Sequence, residues 1–397
     1  MILPISARNS QILLLELVKV VKLKISNLVI QAFVMISNIS TGILITRYSD
    51  YSLRADISII SAITSISLII LNQGQFESLI KGISSKRDRN GFFQIVIMMF
   101  VSIITGFFYD ISISLAFLMF CYMTLNMFVQ FKGADFFHTF GNSKFLAFSM
   151  FFYLSNLAVT ATLVLLDRLN VFTWLLSSIF ADLLLLTAYR LKMPGNLESF
   201  YTPKYKSRKI ASLAAVLAGM QDFFIIVFAS LLVSDPTLAF LIVTYSCVSP
   251  MLIFFGALQN NILRNPEHIA DAFLKKLNIW TVLFIVSSLA AYYLLVRALV
   301  PYIFGPKYEI LSDSAGIVVL FGVINLTNKL FNIYCRACSR QLDSIKLSLL
   351  IFVAFGISSS VFPESDLVLV QCFVFSSILA YLCALISKFF FRKRTEI

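Results

Sequence analysis

Charged residues are scarce in this chain: Asp, Glu, Lys and Arg make up 13% of its 397 residues, whereas hydrophobic types make up 59%. Soluble domains carry about 25% charged residues, so this composition excludes a soluble globular protein, which could not cover so much apolar surface. A lipid bilayer removes that constraint, because its core favours apolar side chains. Glycine and proline are also few, at 14 and 9 residues. We therefore expect one integral membrane body without long linkers.

Cysteine and histidine are too few and too scattered to form a disulfide framework or a metal site. The six cysteines lie mostly within apolar segments, and Cys335-x-x-Cys338 has no second ligand pair near it in the sequence. No G-x-x-x-x-G-K-[ST] sequence occurs, which excludes an ATP site of the P-loop type. We predict no metal, no cofactor and no catalytic residue. The net charge of +12 does not indicate nucleic-acid binding, because no basic stretch belongs to a soluble domain.

Twelve apolar stretches are long enough to cross a bilayer, which takes about 20 residues of helix. Polar turn sequences such as Ser234-Asp235-Pro236 separate them. This pattern predicts an all-α integral membrane protein with about twelve transmembrane helices. The predicted spans are 27–46, 57–80, 92–109, 111–131, 145–166, 173–190, 210–233, 238–261, 277–299, 316–334, 347–362 and 367–387.

Lysine and arginine are distributed unequally between the two sets of loops. Of the 32 residues, 26 lie on the side of the two termini, 5 lie in the opposite loops, and Lys329 lies within a span. Because cytoplasmic loops are enriched in Lys and Arg, we expect both termini in the cytoplasm. The asymmetry also favours a short turn at Asp110, without which two cationic loops would face opposite sides.

The longest predicted loop lies at the midpoint of the chain and joins six spans to six, an arrangement typical of transporters built from repeats. Near the N-terminus, polar residues including Arg8, Lys19 and Lys22 share one helical arc, which favours an amphipathic helix on the membrane surface. We predict a cytoplasmic amphipathic segment (1–26), an N-lobe (27–191), an inter-lobe linker (192–209), a C-lobe (210–387) and a basic cytoplasmic tail (388–397).

Three segments carry a resemblance to a known family: Val300 to Tyr308 with Ser312 to Ala315, the element Arg336 to Arg340, and the polar end of span 2 followed by Ser84 to Arg87. They resemble the polysaccharide (O-antigen) flippases, the Wzx-type lipid-linked-oligosaccharide exporters of the multidrug/oligosaccharidyl-lipid/polysaccharide exporter superfamily. The resemblance implies an alternating-access carrier of the bacterial inner membrane, with two six-helix lobes around a central cavity. It implies an undecaprenyl-diphosphate-linked repeat unit as cargo, membrane lipid as surroundings, and other polysaccharide-assembly membrane proteins as further partners.

Span 10 carries four polar residues on one helical face: Asn325, Asn328, Lys329 and Asn332, spaced i, i+3, i+4 and i+7. Polar groups within a span are costly against lipid, so we predict that they line the cavity, with Lys329 binding phosphate. A polar contact between helices, or a lysine reaching the membrane surface, is the alternative interpretation.

Two carboxylates within spans are candidates for ion coupling, namely Asp222 in span 7 and Asp182 in span 6. A structural ion pair, in which Asp222 balances Lys329, is the alternative for Asp222. At the end of span 1, Arg47 is predicted to contact substrate at the cavity mouth, whereas Arg54 in the following loop is expected to be exposed to solvent.

The sequence leaves other functional classes open. A membrane glycosyltransferase or polymerase that uses the same polyprenyl carrier is the second hypothesis, although polymerases of such pathways have a large periplasmic loop and every loop here is short. A drug/cation antiporter of the same superfamily is the third, and a structural scaffold is the fourth. Lys329 and its asparagines favour an anionic cargo, so the flippase is the preferred hypothesis.

Overall fold

The computed structural model describes residues 33–34, 36–37, 39–72, 91–109, 111–140, 142–188, 206–264, 279–337, 340–362 and 365–392. Regular structure in these ranges is helical, because long apolar runs without breaks satisfy their backbone groups within the helix itself. Within the described ranges, twelve helices follow the order of the twelve predicted spans, the first of them described over residues 39–48. They are α1 (39–48), α2 (Tyr51–Asn72), α3 (Gly91–Phe108), α4 (Ile113–Phe140), α5 (Asn142–Leu165), α6 (Val171–Ala188), α7 (Lys206–Ala229), α8 (Asp235–Arg264), α9 (Ile279–Phe304), α10 (Ala315–Ala337), α11 (Gln341–Val361) and α12 (Val368–Arg392).

Six helices in the described ranges are long and apolar enough to cross a membrane, and four further apolar helices are shorter. These features confirm the prediction of an all-α, multi-helix membrane protein. The six are Tyr51–Ile70, Phe148–Leu165, Val171–Ala188, Ile285–Phe304, Ala315–Cys335 and Leu342–Val361.

The start of α2 differs from the prediction in a way that matters for function. The helix begins at Tyr51 rather than at residue 57. Asp50 acts as its N-cap, because its Oδ1 accepts a hydrogen bond of 2.7 Å from the Leu53 amide. Arg54 therefore lies in the first turn of a helix and is buried, so the expectation that it is exposed in a loop was wrong.

The predicted turn at Asp110 is present, since α3 ends at Phe108 and α4 begins at Ile113, although residue 110 itself is outside the described residues. Several other predictions also concern residues that the structure does not describe. These are the amphipathic segment 1–26, the end of span 2 with Ser84 to Arg87, most of the linker 192–209, residue Cys338 and the tail beyond residue 392.

We call the helices of the first half of the chain the first bundle (α1–α6) and those of the second half the second bundle (α7–α12). In the first, α4 packs on α3, α5 and α6; in the second, α8 packs on α10, and α11 packs on α7 and α12. The α8–α10 contact is close, since a β-carbon on Gly322 would lie 2.7 Å from the Met251 sulfur. Helix α2 packs on both α7 and α8 and thereby joins the two bundles.

The segment between α9 and α10 forms a compact turn. Gly305 has φ +99°, a conformation that L side chains rarely adopt. It is followed by a 3₁₀ turn, Pro306–Tyr308, and by the short helix Glu309–Asp313. This turn lies against the α1–α2 connection, and we call the end of the molecule that carries both the Lys307 side.

Candidate functional site

A cavity of about 850 Å³ lies between the first bundle and helices α7 and α8. Its volume is in the upper part of the range of roughly 300–1,000 Å³ that ligand pockets occupy. Hydroxyl, amide and aromatic groups dominate the wall, a chemistry suited to a polar ligand with apolar ring faces. Its polar and aromatic residues include Thr41, Ser58, Ser61, Ser65, Tyr122, Asn126, Ser149, Phe152, Tyr153, Asn156, Trp174, Ser178, Phe223, Ser246 and Ser249.

Arg54 is the charged residue among the described residues that line this cavity. Its exposed fraction is 7%, and one guanidinium nitrogen makes a long contact of 3.5 Å with the Ser246 hydroxyl. Its Nε has no hydrogen-bond partner within the described ranges, and neither has the fully buried hydroxyl of Tyr308, which interacts electrostatically with Arg54. A buried guanidinium without an anionic partner is costly. This end of the cavity is therefore suited to an anionic ligand.

Asp182 lies behind the cavity wall in α6 and is completely buried. Ser178, one turn earlier on the same helical face, lines the cavity. Two further lining residues, Tyr122 and Asn126, interact with the Asp182 carboxylate. Neither carboxylate oxygen makes a hydrogen bond of normal geometry within the described part of the chain. The site is suited to a proton or a cation, and the predicted role in ion coupling stays a prediction.

The asparagine stripe of α10 lies in contacts within the second bundle and not among the residues that line this cavity. All three amides are at most 2% exposed. Asn325 donates to Asp222 on α7 at 3.2 Å, and Asn328 donates to Ser377 on α12 at 3.2 Å. Asn332 accepts a hydrogen bond of 2.7 Å from Ser344 on α11. Each amide thus bonds to a neighbouring helix, although the Asn328 Oδ1 has no hydrogen-bond partner among the described residues. The predicted contact of the three asparagines with substrate stays a prediction.

Lys329 forms an ion pair with Asp222, at 2.7 Å between its Nζ and the carboxylate Oδ2. The Lys329 side chain is 29% exposed and the Asp222 side chain is 20% exposed, so the ion pair is only partly buried. The alternative interpretation of Asp222, as the partner of Lys329, thus has direct geometric support. The ammonium is paired with Asp222 in this structure, and its predicted contact with phosphate stays a prediction.

Arg47 lies at the end of α1 on the Lys307 side. Its guanidinium donates to the backbone carbonyl of Tyr302, in α9. The residue is exposed and is not among the described residues that line the cavity. Its predicted contact with substrate at the cavity mouth stays a prediction.

A double substitution separates a structural role of the Asp222–Lys329 pair from a direct role in binding. Asp222→Asn or Lys329→Met alone leaves one charge within the membrane, at an insertion cost of about 2.5–3.5 kcal/mol. We expect each single variant to lower the yield of folded protein and the double variant to recover it together with transport. Size-exclusion chromatography and vesicle transport assays measure both. A double variant that folds but does not transport would contradict the structural role and support the binding role predicted from the sequence.

No family model and no curated protein matches the sequence. Solved structures with a similar fold do exist, at very low sequence identity. A multidrug resistance MATE family transporter of the MOP superfamily in its inward-facing conformation is similar, with a TM-score of 0.56 and 11% identity, over 93% of this chain and 99% of that one. An outward-facing conformation of such a transporter gives a TM-score of 0.53 and 13% identity, over 94% of each chain.

A third similar structure is a MOP superfamily transporter from Pyrococcus furiosus, with a TM-score of 0.51 and 11% identity, over 93% of this chain and 95% of that one. That transporter is described as having a binding pocket of reverse polarity, which suggests a different function for it. At this level of identity the likeness shows the fold alone. The chain has the fold of MATE-type membrane transporters.

Proposed function

We propose that this protein is an alternating-access carrier that moves a lipid-linked, diphosphate-containing oligosaccharide from the cytoplasmic to the periplasmic leaflet of a bacterial inner membrane. The cargo is an undecaprenyl diphosphate that bears a polysaccharide repeat unit. In this proposal the Lys307 side faces the periplasm, in agreement with the low number of cationic residues in its loops. The transporter fold supports the transport step, and the cavity supports the class of cargo.

The observation that carries the proposal is the chemistry of the cavity. Arg54 supplies a buried guanidinium, which binds phosphate oxygens through paired N–H groups better than an ammonium does. The serine, threonine and asparagine side chains supply hydrogen bonds for sugar hydroxyls. Aromatic rings such as Trp174 and Phe152 supply flat apolar surfaces for sugar ring faces. The wall replaces the hydration that a sugar diphosphate would lose in hydrocarbon.

Ion coupling is the second part of the proposal, and Asp182 carries it. A carboxylate buried without strong partners is unstable as an anion and favours binding of a proton or cation. Because Tyr122 and Asn126 join it to the cavity wall, a change in its charge can alter the shape of the wall. An ion gradient could therefore drive the conformational cycle from this position.

Export of a cationic drug in exchange for an ion is the second candidate function, and the drug-transporter fold neighbours favour it. The buried Asp182 could attract a cation. Arg54 opposes this function, however, because an uncompensated guanidinium in the cavity repels a cationic cargo. The anionic cargo is therefore the better match.

Transport by the purified protein in vesicles tests the proposal. The substrate is a polyprenyl diphosphate that carries a short fluorescent oligosaccharide, and a membrane-impermeant reductant bleaches the reporter in the outer leaflet. We expect the protein to accelerate bleaching of the inner-leaflet pool, and to leave unaffected a matched polyprenyl alcohol that lacks the diphosphate sugar. Mass spectrometry of the lipid should show no new glycosidic bond, since one would indicate an enzyme. Failure with this lipid together with export of ethidium would support the antiporter instead.

A further inference from the structure

Three hydrogen bonds on the Lys307 side join the ends of α1 and α2 to the end of α9 and the turn that follows it. The Lys307 ammonium donates to the Ser49 backbone carbonyl, and the Arg47 guanidinium donates to the Tyr302 backbone carbonyl. In the opposite direction, the Tyr51 hydroxyl donates to the backbone carbonyl of Lys307 at 3.1 Å. Residue 307 is thus held to the first bundle by both its side chain and its backbone.

Aromatic rings surround the Lys307 side chain. Its ammonium lies 5.4 Å from the ring centroids of Tyr51 and Tyr308, within the range of cation–π attraction. Tyr308 packs edge-on against Tyr51 at 5.7 Å and against Phe240 of α8 at 5.3 Å. The rings limit the access of water to the ammonium, which strengthens its bond to the Ser49 carbonyl.

The Lys307 ammonium also interacts electrostatically with the Arg54 guanidinium, which lines the cavity. Burial lowers the pKa of Lys307, the neighbouring Asp50 raises it, and the Arg54 guanidinium lowers it. Arg54 lines the cavity directly, and Tyr308 interacts with it from the other side. The charge of Arg54 therefore acts on a residue that links the α1–α2 connection to the second bundle.

We propose that Lys307 is a positioning residue that keeps the bundles closed on its side of the membrane while the cavity is empty, and that an oxyanion bound at Arg54 releases it. The inference rests on the proposed function for the class of cargo. A phosphate at Arg54 presents full negative charge near the ammonium, whereas the Ser49 carbonyl presents only a dipole, and hydrogen bonds to charged acceptors are the stronger ones. The ammonium leaves the carbonyl, and the loss of this bond favours separation of the bundles on the Lys307 side.

Spin labels across the contact test this mechanism directly. We place them at Tyr48 and Ile310, which are exposed and lie on opposite sides of the boundary, in a protein whose cysteines have been replaced. Electron–electron double resonance then measures the distance distribution in lipid nanodiscs, with inorganic pyrophosphate as the probe. We expect one short distance without pyrophosphate and a growing population at longer distance with it. Lys307→Met should show the long distance without pyrophosphate, with a roughly tenfold rise in the ratio of open to closed states, the size expected when a charge-assisted hydrogen bond is lost.

Matched variants make the result specific. Lys307→Arg keeps a cationic donor and should remain closed, and Lys346→Met removes an exposed cation on α11 outside this contact and should also remain closed. If Lys307→Met folds poorly, Tyr51→Phe removes the hydroxyl bond to the Lys307 carbonyl, keeps the ring, and should open the contact partially. An unchanged short distance in Lys307→Met and Tyr51→Phe would overturn the inference.

A separate binding measurement distinguishes failure of the mechanism from failure of the proposed function. Calorimetry reports whether pyrophosphate binds and whether Arg54→Met abolishes that binding. Binding that depends on Arg54 but leaves the spin-label distance unchanged would overturn the release of Lys307 and leave the anionic cargo supported. Absence of any binding, with an unchanged distance, would reject the anion site itself and the inference with it.

Discussion

Arg54→Met is expected to abolish transport of a diphosphate-linked cargo while leaving the protein folded. The unbranched apolar side chain of methionine resembles the aliphatic part of arginine. The substitution removes a charge that has no ionic partner among the described residues. Loss of a hydrogen bond to a charged group costs about 1.5–3 kcal/mol, so we expect pyrophosphate to bind at least tenfold more weakly. The vesicle transport rate and calorimetry measure the effect, and thermal unfolding reports the integrity of the fold.

Two controls separate charge from geometry at this position. Arg54→Lys keeps the positive charge but loses the planar pair of donors, so intermediate affinity is expected. Arg168→Met removes an exposed arginine in the loop after α5, away from the described cavity lining, and should transport normally. If Arg54→Met binds pyrophosphate and transports lipid as the unmodified protein does, the assignment of the anion site is wrong.

Asp182→Asn should abolish the response of transport to an ion gradient. The neutral amide has nearly the same shape but cannot take up a proton or hold a cation by charge. The transport rate with an imposed pH or sodium gradient should therefore equal the rate without one. Folding should be retained, because a buried neutral amide is cheaper than a buried carboxylate without strong partners. Vesicle transport with and without each gradient measures the effect, and equilibrative movement of the lipid should continue.

Asp167→Asn is the matched control for Asp182→Asn. Asp167 is an exposed carboxylate at φ +52° in the loop after α5, and asparagine tolerates this backbone conformation well. The control should respond to gradients normally. If Asp182→Asn still responds to a gradient, a residue other than Asp182 couples transport to the ion. If both variants lose the response, removal of acidic groups has a general effect.

The helices could be predicted well from the sequence because the bilayer imposes a length and an apolar composition on every span. Errors arose at helix ends, where polar residues belong to the first turn rather than to the loop. At α2, hydropathy alone places the start after Arg54, whereas the Asp50 cap starts the helix at Tyr51. A Ser-Asp pair immediately before an apolar run is an N-cap signal, and it could have placed Arg54 in the helix.

The candidate site was harder to predict, because helical spacing gives the face of a helix but not the neighbour of that face. The spacing of Asn325, Asn328 and Asn332 correctly indicates one shared face, yet that face lies against other helices. Burial of Arg54 depends on the packing of α2 against α8, which no local pattern encodes. Asp182 stood out simply because a carboxylate within an apolar span is rare.

The asparagine stripe of α10 has a consequence for how the cargo of such a transporter could change during evolution. Those amides tie α10 to α7, α11 and α12, whereas most of the serine, tyrosine and asparagine side chains around the chamber come from helices in the first half of the chain. The second half of the chain is held by these bonds between helices. The first half supplies most of the polar cavity lining, where small hydroxyl residues tolerate substitution. New glycan preferences could then arise by substitution or recombination within the first half, without disturbing the bonds that keep the second half intact.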